Sequence, residues 1–216
     1  DLPLTPSMRL DGRRALITGA GRGIGFAAAA ALAEAGAHVT LCDKDEAEVT
    51  AAVASLIAAG RAAEALVADV TDVEAMAREI ADREAFDVFV NNAGTNRPAA
   101  FTDVRIVDFD AVMALNVRGS FFAAQAVARR LIAAGKPGSI INISSTMGHV
   151  GMASRSLYCA TKWAVEGYAR CMAIELAPLG IRVNNLAPTF VETPLTDVIV
   201  KYTPDGGHID IAAVRN

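Results

Sequence analysis

Tyr158 and Lys162 stand four residues apart, the spacing that sets two side chains on one face of a helix. A phenol with its ordinary pKa of about 10 is a poor base at neutral pH. An ammonium beside it favours the phenolate and brings the group toward a range useful for moving a proton. Ser145 lies thirteen residues before the tyrosine, just after the apolar run Ile140-Ile141-Asn142-Ile143 and its neighbour Ser144. A hydroxyl there can donate a hydrogen bond to a carbonyl oxygen as negative charge develops on it. Each feature has a plainer alternative: the Tyr-x-x-x-Lys as a surface pair, the two serines as a strand end or helix cap. Together they describe proton exchange with an alcohol or carbonyl oxygen.

A second constellation supplies a place for a phosphate-bearing partner. Residues 15–28 (ALITGAGRGIGFAA) join an apolar, strand-like run to a glycine turn that opens an alanine-rich helix. Gly19, Gly21, Gly23 and Gly25 let the backbone turn sharply, and the free N–H groups and positive dipole of the helix start attract a pyrophosphate. The pattern G-x-G-x-G-x-G meets the dinucleotide fingerprint G-x-G-x-x-G only in part, and a simple tight turn is the alternative. Asp43 strengthens the reading, because it ends the next strand-like run, 37–42. A carboxylate about 20 residues past such a turn accepts hydrogen bonds from the adenosine ribose of NAD and repels the extra phosphate of NADP. Arg22 and Lys44 pull the other way, and a solvated strand end is the bland role for Asp43. NAD is the expected cofactor.

These groups need a scaffold that brings them to one edge. Candidate strands at 14–18, 38–42, 65–68, 88–91, 139–143 and 182–186 alternate with helix-like stretches at 24–35, 47–59, 73–83, 104–134 and 157–177. Val/Ile-rich strands separated by helices imply β-α-β units: an α/β fold with a single doubly wound parallel sheet of Rossmann type, helices on both faces. Gly36, Gly60, Gly135 and Gly180 mark helix ends. Open sheets of this kind bind ligands beyond the carboxyl ends of their strands. Asp43, Asp69, Asn91-Asn92, Ser144-Ser145 and Pro188 therefore share one rim.

The 216 residues, 53% of them hydrophobic, suffice for one substantial domain spanning 1–216. Residues 1–9 read as a flexible lead-in without signal-peptide character. A net charge of −4, with no basic cluster among aromatics, offers nucleic acid no surface. No apolar run approaches a membrane span. Cys42, Cys159 and Cys171, like His38, His149 and His208, are dispersed, so reduced buried thiols in the cytoplasm are expected, with no disulfide framework and no metal site.

Taken in order, Thr18–Gly25, Asp69-Val70, Asn91-Asn92-Ala93-Gly94, Asn116, Ser145, Tyr158-Cys159-Ala160-Thr161-Lys162 and the segment 188–193 resemble the short-chain dehydrogenase/reductase family from about residue 10 to 195. The resemblance implies that Tyr158 is the general acid/base and that Ser145 polarises the substrate oxygen. It implies that Lys162 tunes Tyr158 and grips the nicotinamide ribose, and that Asn116 anchors a water relaying the proton; a helix-bending polar residue is the other reading of Asn116. Cofactor contacts would come from Gly19, Arg22, Gly23, Ile24, Gly25, Asp43, Asp69, Val70, Asn92, Ala93, Gly94, Tyr158, Lys162, Pro188, Val191 and Thr193. A homotetramer joined through 104–134 and 157–177 is likewise implied.

Two departures stand out. Thr189 follows Pro188 where the family has glycine, which predicts an extended backbone there. Asp205-Gly206-Gly207 comes 17 residues after Pro188, too soon for the family's substrate lid, so 195–216 read as atypical. Enclosure of the substrate would suffer if the lid is lost. His149 and Arg155, with Asn96 and Arg97, are candidates for a hydroxylated or acidic substrate, or else solvated loop residues. The expected function is hydride exchange between NAD(H) and a secondary alcohol or ketone, with sugar, polyol, hydroxyacyl and alicyclic substrates open. The alternative is a dinucleotide-sensing protein without turnover.

Overall fold

A computed structural model describes residues 7–191. Thr193, the segment from 195 onward and residues 1–6 of the lead-in lie outside the described residues. Six strands, β1 (Arg14–Thr18), β2 (His38–Asp43), β3 (Ala63–Val67), β4 (Val88–Asn91), β5 (Gly138–Ile143) and β6 (Ile181–Leu186), form one sheet in the order β3-β2-β1-β4-β5-β6. Every pairing is parallel. The order reverses between β1 and β4, and the crevice at such a switch point is where open α/β sheets bind ligands.

The strands sort their side chains by the two-residue period of the pleat. Leu16, Phe89 and Ile140 face a core completed by Met76, Ile80, Val127 and Leu131. Ala15, Ile17, Val88 and Val90 face the opposite core with Ala29, Val49, Val53 and Leu56. Helices α1 (Gly23–Glu34) and α2 (Glu46–Ala58) therefore cover one face. Helices α3 (Val73–Ala81), α5 (Ser120–Ala133) and α6 (Ser156–Leu176) cover the other.

The stretch expected as one helix over 104–134 is continuous over 106–133 but changes character within. Helix α4 (Ile106–Met113) passes into a π-helical turn, Ala114–Gly119, before α5 begins. Gly119 lets the end of this turn approach Val70 closely, since a Cβ there would stand 2.7 Å from the Val70 carbonyl oxygen. By length and mean hydropathy this helical run could cross a bilayer, although charged and polar residues interrupt it, as the sequence expectation has it. Its buried side chains Ala123, Ala124, Val127, Ala128 and Leu131 are spent on the sheet, the role of a core helix. Cys42 and Cys159 are buried as expected, whereas Cys171 is exposed on α6.

Candidate active site

Some helices begin with a side-chain cap and others, α4 among them, without one. At α2, Asp45 accepts from the Glu48 N–H at 3.0 Å, and at α3, Asp72 accepts from the Ala75 N–H at 3.0 Å. The N-termini of α1 and α6 carry no side-chain cap, which leaves their N–H groups and positive dipole ends available to an anion.

The α1 terminus opens directly from β1. Gly19 and Gly23 have positive φ, 63° and 59°, so only glycine takes these positions without strain. Gly25 serves a different need: a Cβ on it would sit 2.2 Å from the Gly19 carbonyl oxygen and 2.6 Å from Asn92 Nδ2. The turn is held from just after β4, where Asn92 Nδ2 donates to the carbonyls of Thr18 (2.9 Å) and Gly19 (3.0 Å). The N–H groups of Asn92 and Ala93 donate to Thr18 Oγ1, each at 3.1 Å. Thr18, quoted in the sequence reading only as part of the glycine run, is a brace; a β-branched hydroxyl ending a strand beside a glycine turn was its signal. These uncapped donors and missing side chains fit a dinucleotide.

Asp43 ends β2 beside this turn. Its Oδ2 accepts from the Gly21 N–H at 3.0 Å and its Oδ1 from the Asp45 N–H at 3.2 Å, which leaves lone pairs on the carboxylate for further donors. Arg22 is tied to Glu48 at 2.7 Å. Along the rim, the Asp69 carboxylate holds its own turn through Thr71 N–H and Oγ1, while Val70 sends its side chain into the core.

Beyond β4, β5 and β6 a cavity of about 130 Å³ brings Ile24, Asn92, Gly94, Ser145, Tyr158 and Lys162 together with Arg155 and the segment 188–191. Ser145 follows β5 and starts a short 3-10 turn, its Oγ accepting from the Met147 N–H at 3.2 Å. Pro188 is fixed by the Thr146 N–H, 3.1 Å from its carbonyl. Thr189 keeps a negative φ, as expected for its side chain, and Ser154 alone among the described non-glycine residues has a positive one.

Tyr158 and Lys162 share the cavity-facing side of α6, with Lys162 Nζ 5.5 Å from the tyrosine ring centroid. Their electrostatics correct the sequence expectation. Burial pushes the Tyr158 phenol above its ordinary value, and its hydrogen bond with Ser145 acts in the opposite, smaller sense. Lys162 Nζ donates to the Ile143 carbonyl at 2.7 Å, and burial pulls the amine down to about 8. Burial is thus the largest influence on the phenol, and Tyr158 stands protonated at neutral pH.

Asn116 lies buried in the π-helical turn and acts through both ends of its amide. It accepts from the Thr95 N–H (2.8 Å) and donates to the Thr95 carbonyl (2.8 Å) and to Thr161 Oγ1 (3.2 Å). It thereby ties the loop after β4 to α6 one residue from Lys162. Thr95 was not singled out from sequence, and Thr161 entered only within the motif Tyr158–Lys162. Two other candidates move away from the cavity: His149 Nε2 faces Glu166 Oε1 at 3.4 Å, and Arg97 pairs with Asp108 at 2.5 Å. Asn96 and Arg155 remain in its lining.

The sequence profile described as short chain dehydrogenase matches residues 13–203. The chain is 39% identical over 188 residues to L-xylulose reductase of Bos taurus, covering 87% of this chain and 75% of that protein. It is 42% identical over 189 residues to sorbitol dehydrogenase of Cereibacter sphaeroides, covering 86% and 73%. Its structure is similar to that of a gluconate 5-dehydrogenase from Burkholderia cenocepacia in complex with NADP and tartrate. The TM-score is 0.85 and the identity 41%, over 91% of this chain and 78% of that one.

Proposed function

Because the chain belongs to the short-chain dehydrogenase family, we propose that it interconverts a secondary alcohol of a sugar or polyol with the corresponding ketone, using NAD(H), with Tyr158 as the group that exchanges the proton. The observation that carries this reading is the meeting of Ser145, Tyr158 and Lys162 in one cavity beside the uncapped glycine turn. The polyol and sugar class draws on the reductase and dehydrogenases to which the chain is similar.

A bound nicotinamide supplies the hydride acceptor or donor. The chain's own groups do the rest. Gly19, Arg22, Gly23, Ile24 and Gly25 form the cradle, and Asp43, Asp69 and Val70 border the adenosine end. Asn92, Ala93, Gly94, Lys162, Pro188 and Val191 border the nicotinamide end, with Thr193 assigned there from the sequence. Ser145 and Tyr158 hold the substrate oxygen between them. In ketone reduction the protonated phenol donates to that oxygen; in alcohol oxidation the phenolate removes its proton. Asn116, through Thr95 and Thr161, keeps both walls of the cavity in register, and a water anchored near it would pass the proton onward.

Ser145→Ala should lower kcat by about 10²- to 10³-fold, the range for losing one preorganised donor to a developing oxyanion, with a smaller change in KM. Steady-state kinetics on a polyol panel checks this, and a change confined to KM would count against the assigned role. NAD is the expected cofactor because Asp43 keeps free lone pairs and Arg22 is engaged by Glu48. A hydrogen bond to a charged group decides about 10- to 100-fold in affinity. Fluorescence titration should therefore show NAD bound more tightly than NADP, and Asp43→Ser should erase or invert that order; NADP favoured by the unaltered protein would overturn the assignment.

Assembly as a homotetramer belongs to this reading, supported by the exposed rings of Phe109, Phe121 and Phe122 on α4–α5 and Trp163 on α6. So does a reducing, cytoplasmic setting, supported by the free thiols of Cys42, Cys159 and Cys171.

A further inference from the structure

Arg155 reverses the usual placement of a guanidinium. Arginines are rarely buried without a partner, because an uncompensated charge away from water is destabilising. Elsewhere the rule holds: Arg13, Arg22, Arg97 and Arg105 are exposed and paired with carboxylates. Arg155 is only 4% exposed. Its Nε has no hydrogen-bond partner, and its Nη1 reaches the Ser154 carbonyl at 3.2 Å. No carboxylate among the described residues lies within ion-pair distance of it, and none lines the cavity it faces.

The backbone around this side chain is held in place. Ser154 adopts φ 57°, an uncommon conformation for serine that persists where surrounding structure enforces it. Its carbonyl is gripped by the Ala99 N–H at 3.3 Å as well as by Arg155. Arg155 is also the N-cap residue of α6, whose first N–H groups have no side-chain cap. The Arg155 guanidinium thus lines the cavity beside the start of α6, and a guanidinium and a helix N-terminus both favour an anion.

We propose that Arg155 is the anion-recognising residue of the substrate site and that the substrate is a hydroxy carboxylate. The inference rests on the oxidoreductase reading for its reacting group. Arg155, the N-cap of α6, and Tyr158, in the first turn of that helix, both line this cavity. The hydroxyl held by Tyr158 and Ser145 then belongs to the same small molecule as the carboxylate, a few carbons away. The planar fork matches a carboxylate with two parallel hydrogen bonds. The second cation of the cavity, Lys162, is tied to the Ile143 carbonyl and belongs to the cofactor end in the proposed reading, so the carboxylate falls to Arg155.

The test uses threonate and threitol, the same four-carbon polyol with and without a carboxylate. Calorimetric titration of the chain, alone and saturated with NAD, should give threonate about 10- to 100-fold tighter binding than threitol, the range for charge-assisted hydrogen bonds. In Arg155→Met the threonate-to-threitol ratio should fall to near unity, and Arg155→Lys should restore part of it, with melting temperatures certifying that both variants are folded. Equal binding of the two ligands by the unaltered chain, or no binding of threonate, overturns the proposal. So does an Arg155→Met variant that weakens both ligands alike and keeps their ratio, since Arg155 would then be a brace or the partner of an acid of this chain. Threonate selectivity without hydride transfer from any polyol would instead sink the oxidoreductase reading and leave the anion site standing.

Discussion

Tyr158→Phe is expected to lower kcat for polyol oxidation by about 10³-fold or more while leaving the dinucleotide bound. Positioned proton transfer contributes about 10²- to 10⁴-fold to such reactions, and the deleted oxygen is the one atom of the phenol that meets Ser145. The ring remains, so its packing and its approach to Lys162 at 5.5 Å are preserved. The pH dependence separates loss of a proton carrier from general damage. Burial raises the Tyr158 phenol, so the protonated form needed for ketone reduction persists through neutrality and is lost only as the pH climbs past the raised value. Alcohol oxidation needs the phenolate and should rise over that same alkaline range. Both limbs should vanish in Tyr158→Phe. Initial rates of the two directions across pH check this, and an unaltered profile in the variant would remove Tyr158 from the chemistry.

Gly25→Ala should be nearly as damaging, by a different route. The added methyl would stand 2.2 Å from the Gly19 carbonyl oxygen, an approach real Cβ atoms essentially never make, and 2.6 Å from Asn92 Nδ2. Neither neighbour can yield cheaply: Gly19 is held at positive φ, and Asn92 ties the turn to β1 through the Thr18 and Gly19 carbonyls. The turn must shift, at an overpacking cost of about 1–3 kcal/mol. Because the shifted atoms are the cradle itself, dinucleotide affinity should drop by up to about a hundredfold. A Tm measured with and without NAD should fall in both states and lose most of its ligand-induced rise. Gly60→Ala offers a contrast: it has φ 73° but nothing within 4 Å of a Cβ, so it should lower Tm modestly and spare the ligand-induced rise.

The fold was largely legible because parallel strands buried on both faces read as short Val/Ile runs, and glycines closed the helices between them. Five strands have the expected bounds to within one residue, including Arg14–Thr18 and Val88–Asn91. Strand β3 begins at Ala63, two residues before the expected start, because Glu64 lies at its edge, partly exposed, where alternation carries no core signal. The π-helical turn at Ala114–Gly119 was not legible. It preserves the apolar periodicity on either side, and its causes, the Asn116 amide on Thr95 and the tight Gly119–Val70 approach, are tertiary.

The site shows the same division. Residue type and spacing located Ser145, Tyr158 and Lys162, since strand end and helix face fix where they point. Spacing gave no account of burial, and burial reverses the sign expected at the phenol and brings Lys162 to about 8. Nor does it separate a paired cation from an unpaired one. Arg97 and Arg155 looked alike in sequence, yet one is neutralised by Asp108 and the other faces the cavity without a carboxylate among the described residues.

The claim on which the account turns is that this cavity moves a hydride from substrate carbon to nicotinamide with Tyr158 taking the proton. The most direct measurement incubates the protein with NAD and polyols deuterated at their secondary carbons, then reads the nicotinamide by mass spectrometry. Deuterium should appear in the reduced nicotinamide with the unaltered chain and be lost with Tyr158→Phe. NAD bound by both proteins with no deuterium transferred by either, on every polyol offered, would contradict the account and leave a dinucleotide-binding protein without turnover.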